Sequence, residues 1–190
     1  TGGLTEGPGV YHPQKEKDAC GVGMVVDIKN RASYEIVAKG LAMLCNLEHR
    51  GAVGADPKAG DGSGLLIQIP HKFLKKKVES DFNLPDVGQY AVGVIFMPKE
   101  KNNQDKIRAL IEENCLKEGF DILGWRLCPT QTGDLGWSVL PTAPDVFQIF
   151  IKRPNDKKTQ DSFERSLYIL RRCIEESIVG ISSTLQEGFY

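Results

Sequence analysis

Short apolar runs bounded by glycine or proline alternate along this chain with stretches whose apolar side chains recur every three or four residues, and that alternation limits the fold more than any other feature. The runs are Val22 to Ile28, Leu65 to Ile69, Tyr90 to Met97, Asp121 to Cys128 and Val146 to Lys152, each of strand length and composition. Between them, Ile36, Val37, Gly40, Leu41, Leu44 and Leu47 mark a first helix, with Ser33 as its N-cap and Gly51 beyond its end. Ile107, Leu110, Ile111 and Cys115 mark a second over Lys106 to Leu116, stopped by Gly119. A long helix carrying Phe163, Leu167, Leu170, Ile174 and Ile178 begins near Asp161, paired with Glu164 in a capping-box pattern. Val179 to Tyr190 reads as a strand cut short, so the chain is expected to stop inside a domain. Interleaved strands and helices imply stacked helix and sheet layers around at least one sheet, and the pattern alone does not choose the topology. The strands at Leu65 and Tyr90 are expected to be central, and the one at Val22 to begin directly after Cys20.

Two connections break the pattern. Gly51, Gly54, Gly60, Gly62 and Gly64, with Asp56, Pro57 and Asp61, define a shaped loop in which several positive φ values are expected. Pro129 to Pro144 is the other. Lys75 to Lys77 is read as a solvated helix end.

The 190 residues, 41% of them hydrophobic, suffice for a soluble domain with one substantial core. A formal charge of −1 gives the chain no bias toward nucleic acid or an anionic membrane. No apolar run approaches the roughly 20 residues that cross a bilayer. Thr1 to Ala19 is rich in glycine and proline, lacks the apolar core of a secretory signal, and reads as a flexible leader. The five cysteines, at 20, 45, 115, 128 and 173, include no C-x-x-C pair, which argues against a disulfide framework, a structural zinc site or an iron–sulfur site in this chain. Cys45, Cys115 and Cys173 lie in helical patterns and are expected to act as small core hydrophobes.

Cys20 differs, because it follows the leader and precedes Gly21-Val22-Gly23. A thiol attacks only as thiolate, which calls for a base or a positive charge nearby. His12, His49 and His71 stand in no cysteine-protease pattern. Cleavage between Ala19 and Cys20 would instead give the cysteine its own α-amine, with a pKa of about 8, as general base. By itself Cys-Gly-Val-Gly also fits a buried strand start whose glycines relieve crowding.

A second block decides between these readings. Leu44-Cys45-Asn46-Leu47-Glu48-His49-Arg50-Gly51-Ala52-Val53-Gly54-Ala55-Asp56-Pro57, then Gly60-Asp61-Gly62-Ser63-Gly64 and the run to His71, taken with Asp18 to Gly23, resemble the N-terminal class II glutamine amidotransferase domain of the glutamate synthases. The resemblance is strong over the first 75 residues or so and looser beyond. It implies an α+β class and a four-layer αββα N-terminal-nucleophile fold, of which this chain is the N-terminal part, with residues 1–19 a leader and 20–190 the amidotransferase domain, truncated at its C-terminal end. It implies that Cys20 is the mature N-terminal nucleophile that attacks the side-chain amide of glutamine, and that Arg50 is the active-site arginine. Gly21, Gly51, Asp56 and Asp61 would then bind substrate or shape loops, and His49 would be structural.

The same resemblance implies no cofactor in this chain. FMN and an iron–sulfur cluster would sit in further domains, where ammonia delivered from glutamine meets 2-oxoglutarate and forms glutamate. The implied partners are glutamine, an FMN domain, and an electron-donor subunit, domain or ferredoxin; the implied location is the cytoplasm or a plastid stroma. An Ala-His-Asn-Gly-like segment supplies the family's oxyanion hole, and its absence before Tyr190 implies that this chain alone is a poor glutaminase. Two alternatives stand beside this reading: another class II amidotransferase, such as a glucosamine phosphate or phosphoribosylamine synthase, or a catalytically silent interaction domain with the same fold.

Overall fold

A computed structural model describes residues 21–51, 55–60, 62–157 and 159–179. The chain divides into two compact units, Thr1–Ile67 and Gln68–Tyr190.

Among the described residues of the first unit the α-helix is α1, Tyr34–Asn46. Its N-cap, Ser33, has extended backbone as expected, but its side chain makes no capping hydrogen bond. Residues 21–28 approach α1 as an extended segment that ends in a tight reversal. There Asp27 Oδ1 accepts the Lys29 N–H at 2.7 Å, and Oδ2 accepts two hydrogen bonds from the Arg31 guanidinium. Asn30 closes the reversal with a left-handed φ of 52°, a conformation asparagine tolerates. Arg31 holds the Asp27 carboxyl below the usual carboxylate range.

The strands expected at Val22 to Ile28 and Leu65 to Ile69 do not form; neither segment joins a ladder among the described residues. Apolar composition makes a segment suitable for a sheet, but a strand exists only where a neighbour satisfies its backbone. Consequently Val22, Met24, Val26 and Ile28, on one side of the segment, are exposed, as is Leu66. For the same reason α1 buries no residue, so Cys45 is exposed and not a core hydrophobe. Gly51, Gly62 and Gly64 have none of the positive φ values expected of that loop; left-handed glycines are found at Gly88 and Gly119.

The second unit holds α2 (His71–Val78), β1 (Tyr90–Met97), α3 (Lys101–Lys117), β2 (Ile122–Leu127), β3 (Asp145–Lys152) and α4 (Gln160–Val179). The strands form an antiparallel sheet in the order β1-β3-β2, with Tyr90 opposite Lys152 and Met97 opposite Asp145. Side chains alternate across a strand. Ala91, Ile95, Phe147, Ile149 and Ile151 therefore share one face, which α3 and α4 cover with Ile107, Ile111, Cys115, Phe163 and Leu170. Tyr90, Val92 and Phe150 share the other, covered by Leu74 and Val78 of α2 with Leu84. The lysines of the last turn of α2 face solvent.

Helix ends follow local chemistry. Gly119, at φ 74°, stops α3 as expected, with the Phe120 N–H donating to the Cys115 carbonyl and the Gly119 N–H to Leu116. Phe120 and Cys115 then pack in the same core. α3 starts at Lys101, five residues before the expected start, because its first turns are polar and carry no apolar period. They are held instead by Lys101 to Asp105 and by Gln104, which donates to the Pro98 carbonyl and to Asp145. α4 is capped by Thr159 rather than Asp161: Thr159 Oγ1 accepts the Ser162 N–H, and Ser162 Oγ donates back to the Thr159 carbonyl. Val179 belongs to α4, and the rest of the strand expected there lies outside the described residues. Among the described residues no helix is long and apolar enough to cross a membrane.

Candidate functional site

The site is built at the C-terminal end of α1. The last turn of the helix closes when the Leu47 N–H reaches the Met43 and Leu44 carbonyls. Glu48–Arg50 then tightens into one turn of 3-10 helix, with the Arg50 N–H donating to Leu47 O at 2.8 Å and the Gly51 N–H to Glu48 O at 3.0 Å. Side chains three residues apart eclipse in such a turn. Leu47 and Arg50 therefore project the same way, and Gly21 lies against both: a Cβ on Gly21 would meet Leu47 Cδ2 at 3.1 Å and Arg50 Cγ at 3.4 Å.

Two more glycine contacts fix how this end is approached. Gly23 sits so close to Met43 that a Cβ there would fall 1.7 Å from its sulfur, and a Cβ on Gly40 would fall 2.8 Å from Leu65 Cδ1. Gly40, Met43 and Leu47 follow the three and four residue rhythm of a single helix face. The segments on either side of α1 thus touch one stripe of the helix at its small or flexible residues.

Of the residues singled out in the sequence, Gly21 and Arg50 are brought together. His49 bonds back to the end of α1, with Nδ1 3.0 Å from the Asn46 carbonyl that accepts its proton. Gly51 has extended backbone, at φ −82° and ψ 144°. Asp56 is 5% exposed, and its Oδ1 accepts the Lys58 N–H at 3.1 Å while its carbonyl accepts the Ala59 N–H, so the side chain organises its own turn. Cys20 and Asp61 lie outside the described residues. Sequence reading missed Leu47 and Met43 as walls of the site, although their spacing from Gly40 and Arg50 carries the signal. Among the described residues no carboxylate pairs with the Arg50 guanidinium, which leaves its planar donor fork open to an anion. No three His, Cys, Asp or Glu side chains among them converge as metal ligands.

Comparison with known proteins matches residues 20–190 to the family of class-II glutamine amidotransferases. The chain is 40% identical over 172 residues to the glutamate synthase [NADPH] large chain of Bacillus subtilis, covering 90% of this chain and 11% of that protein. It is 36% identical to the glutamate synthase [NADH] of Schizosaccharomyces pombe, over 90% of this chain and 8% of the relative. It is also 36% identical to the ferredoxin-dependent glutamate synthase of Pyropia yezoensis, over 94% of this chain and 11% of the relative. The chain therefore spans about a tenth of the length of these relatives.

Proposed function

Because the chain belongs to the class-II glutamine amidotransferases, we propose that it is the glutaminase portion of a glutamate synthase with Cys20 as the nucleophile. The observation that carries this is the contact of Gly21 with Arg50 and Leu47, since it draws the residue directly after Cys20 onto the turn that bears Arg50. A permanent cation near a thiol stabilises the thiolate and can equally receive a carboxylate of the substrate.

In this reading residues 1–19 are a leader, and cutting the Ala19–Cys20 bond frees the α-amine. That amine takes the thiol proton, and the sulfur attacks the amide carbon of glutamine. Ammonia leaves with the proton, and water hydrolyses the resulting γ-glutamyl thioester to glutamate. Arg50 holds the anion at the end of α1, and Asp56 and Asp61 shape the adjoining loop. The extended segments 22–28 and 65–69, whose apolar side chains face outward, supply strands to a four-layer αββα stack. The ammonia is delivered to 2-oxoglutarate in another domain. There FMN and an iron–sulfur cluster, fed by a nicotinamide donor or ferredoxin, supply the reducing electrons. No step assigned to this chain passes through those groups.

The experiment is Cys20→Ala in the full-length enzyme. Glutamine-dependent glutamate synthesis is expected to vanish while synthesis from free ammonia continues, and the intact mass of the mature wild-type chain is expected to begin at Cys20. Equal survival of both activities, or an active wild-type chain that still carries Ala19, would overturn the assignment.

A further inference from the structure

In the order β1-β3-β2, β1 is an edge, and among the described residues no strand pairs with its outer side. The register decides which backbone groups are left there. The Arg153 N–H donates to the Gln89 carbonyl at 2.9 Å, and Ala91, Gly93 and Ile95 stand opposite Ile151, Ile149 and Phe147, so the odd-numbered residues of β1 hydrogen-bond to β3. The N–H and C=O groups of Tyr90, Val92, Val94 and Phe96 therefore point away from the sheet.

Edge strands are ordinarily blunted by charges, prolines or bulges, because a bare backbone recruits other strands. β2, the other edge, follows that rule with a bulge between Ile122 and Gly124 and with Arg126 in its length. Tyr90 to Met97 has no charged residue, no proline and an unbroken register. Val94 is 54% exposed and Phe96 38%. A cavity of about 870 Å³ lies along this edge, lined by every residue from Ala91 to Phe96 and by Leu167 and Ile174 of α4. Successive side chains of a strand point to opposite faces, so a cavity lined by all six reaches round the strand's outer side.

The strand's own sequence says what fits there. Outward from Gly93 come Val92 and Val94, then Ala91 and Ile95, then Tyr90 and Phe96, the same kind of side chain at the same distance on either side. Such a strand is complementary to a copy of itself running the other way, which is the condition for a closed twofold interface. With Gly93 opposite the partner's Gly93, Val92 meets the partner's Val94 and Tyr90 meets the partner's Phe96, valine beside valine and ring beside ring. These are the residues whose backbone points outward, so every outward N–H and C=O from Tyr90 to Phe96 gains a hydrogen bond. Gly93 falls at a non-hydrogen-bonded position, where facing strands come closest, and brings no side chain to it. The same twofold axis sets the two copies of α4 antiparallel. The Arg171–Glu175 pair, 2.7 Å apart where both residues line the cavity, then meets its copy in reversed order, positive against negative.

We infer that β1 is a dimerisation edge: two copies of this chain pair β1 with β1, antiparallel about Gly93, and join their sheets into one in the order β2-β3-β1-β1-β3-β2. Both copies of α4 lie on the same face of the joined sheet and close the two cavities between them. The inference rests on the second unit alone and does not depend on the catalytic reading.

Sedimentation of the 190-residue chain over a range of concentrations tests it, with amide hydrogen exchange on the same samples. The mass is expected to rise with concentration from 21.0 kDa to twice that value. The N–H groups of Val92 and Val94 are expected to exchange about a hundredfold more slowly in the concentrated sample than in the dilute one, while those of Ala91, Gly93 and Ile95, which face β3, stay slow in both. Val94→Pro removes an N–H that β3 does not use, and Val94→Lys sets a charge on an exposed position against the partner's Val92. Each is expected to give a monomer whose inward amides remain slow and report an intact sheet. The proposal is overturned if the chain is monomeric at every concentration, if the dimer survives both substitutions, or if Val92 and Val94 are already protected in the monomer, which would mean that the edge is covered within one chain. Should Val94→Pro unfold, Val94→Lys carries the test.

Discussion

Gly21 rests on Arg50, with the position of an added Cβ 3.4 Å from Arg50 Cγ and 3.1 Å from Leu47 Cδ2. The contact links the two blocks of sequence that carry the amidotransferase signature through one turn of 3-10 helix. It also makes position 21 a tight one, where an added methyl needs Leu47 to give by a few tenths of an ångström and a larger side chain meets the Arg50 stem as well.

Under the proposed function, Gly21→Ala and Gly21→Val should therefore impair glutamine-dependent activity of the full-length protein in that order. Alanine needs Leu47 to give by a few tenths of an ångström, whereas valine must displace the Arg50 stem. A displacement near 1 Å costs on the order of 10²-fold in rate where groups must be aligned, which is the loss expected for valine. Ammonia-dependent synthesis should be unchanged in both, and Leu47→Ala should recover activity in the alanine variant. Equal rates in wild type and the valine variant would remove Gly21 from the site.

Arg50 can be tested against a purely structural role, because it also stands at the C-terminal end of α1, where any cation gains about 0.3–1 kcal/mol from the helix dipole. Arg50→Gln should lower glutamine-dependent kcat by about 10²-fold, the usual cost of removing a preorganised donor. Arg50→Lys should recover little of it, since an ammonium lacks the planar fork. If lysine restored both activity and thermal stability, the dipole would be the whole of Arg50's contribution.

How much could be read in advance depended on whether a segment's partners lie within the chain. The extent of Tyr90–Met97 was legible residue for residue, and that of Val146 to Lys152 to within one, because both are apolar, pair with each other and are closed by proline or turn residues, but Tyr90–Met97, expected to be central, is an edge strand and β3 takes the centre. Val22 to Ile28 and Leu65 to Ile69 have equally suitable composition, yet they form no ladder among the described residues. Composition reports what a segment can bury, and pairing depends on what it meets. α1 shows the same thing: its period was plain, but Cys45 is exposed, and among the described residues α1 buries none of its side chains. The caps were legible where backbone conformation decides, as at Gly119, and not where two hydroxyl residues compete with a carboxylate, as at Thr159, Ser162 and Asp161. At the site, the resemblance pointed to Arg50, but only the turn at Glu48–Arg50 shows why Leu47 stands beside it.

In the second unit, Gly124 makes a prediction about stability alone. A Cβ there would fall 2.3 and 2.4 Å from two ring atoms of Phe82, which packs against the fully buried Phe150 at a ring separation of 5.2 Å. A ring held between a strand and another ring cannot swing clear as a flexible side chain does. Gly124→Ala should destabilise the protein by about 1–3 kcal/mol in urea unfolding, the usual cost of overpacking. The same change in a Phe82→Ala background should cost little. An additive pair would mean that the ring is not what excludes the methyl.

Of the three helical cysteines, Cys173 is only half-buried and its thiol faces Glu118 rather than the core, while Cys45 and Cys115 should separate chemically. Cys45 is exposed, whereas Cys115 is fully buried against the sheet, and burial, reinforced by the charge of Glu112, pushes its thiol from the ordinary 9.0 up to about 11. Since the thiolate is the reactive form, iodoacetamide at pH 8 should modify Cys45 in the native protein and reach Cys115 only on unfolding. The same shift bears on stability. Below pH 9 the thiol is protonated in both states and contributes no pH dependence. Between 9 and about 11 the unfolded chain releases the proton while the folded chain retains it, so folding stability falls as pH rises through that window. Cys115→Ala removes this loss, and the stability advantage of wild type over the variant should shrink from pH 9 toward 11. Labelling of Cys115 as fast as Cys45, or an advantage that stays level across the window, would show that the thiol is not held in the dry core formed by α3, α4 and β3.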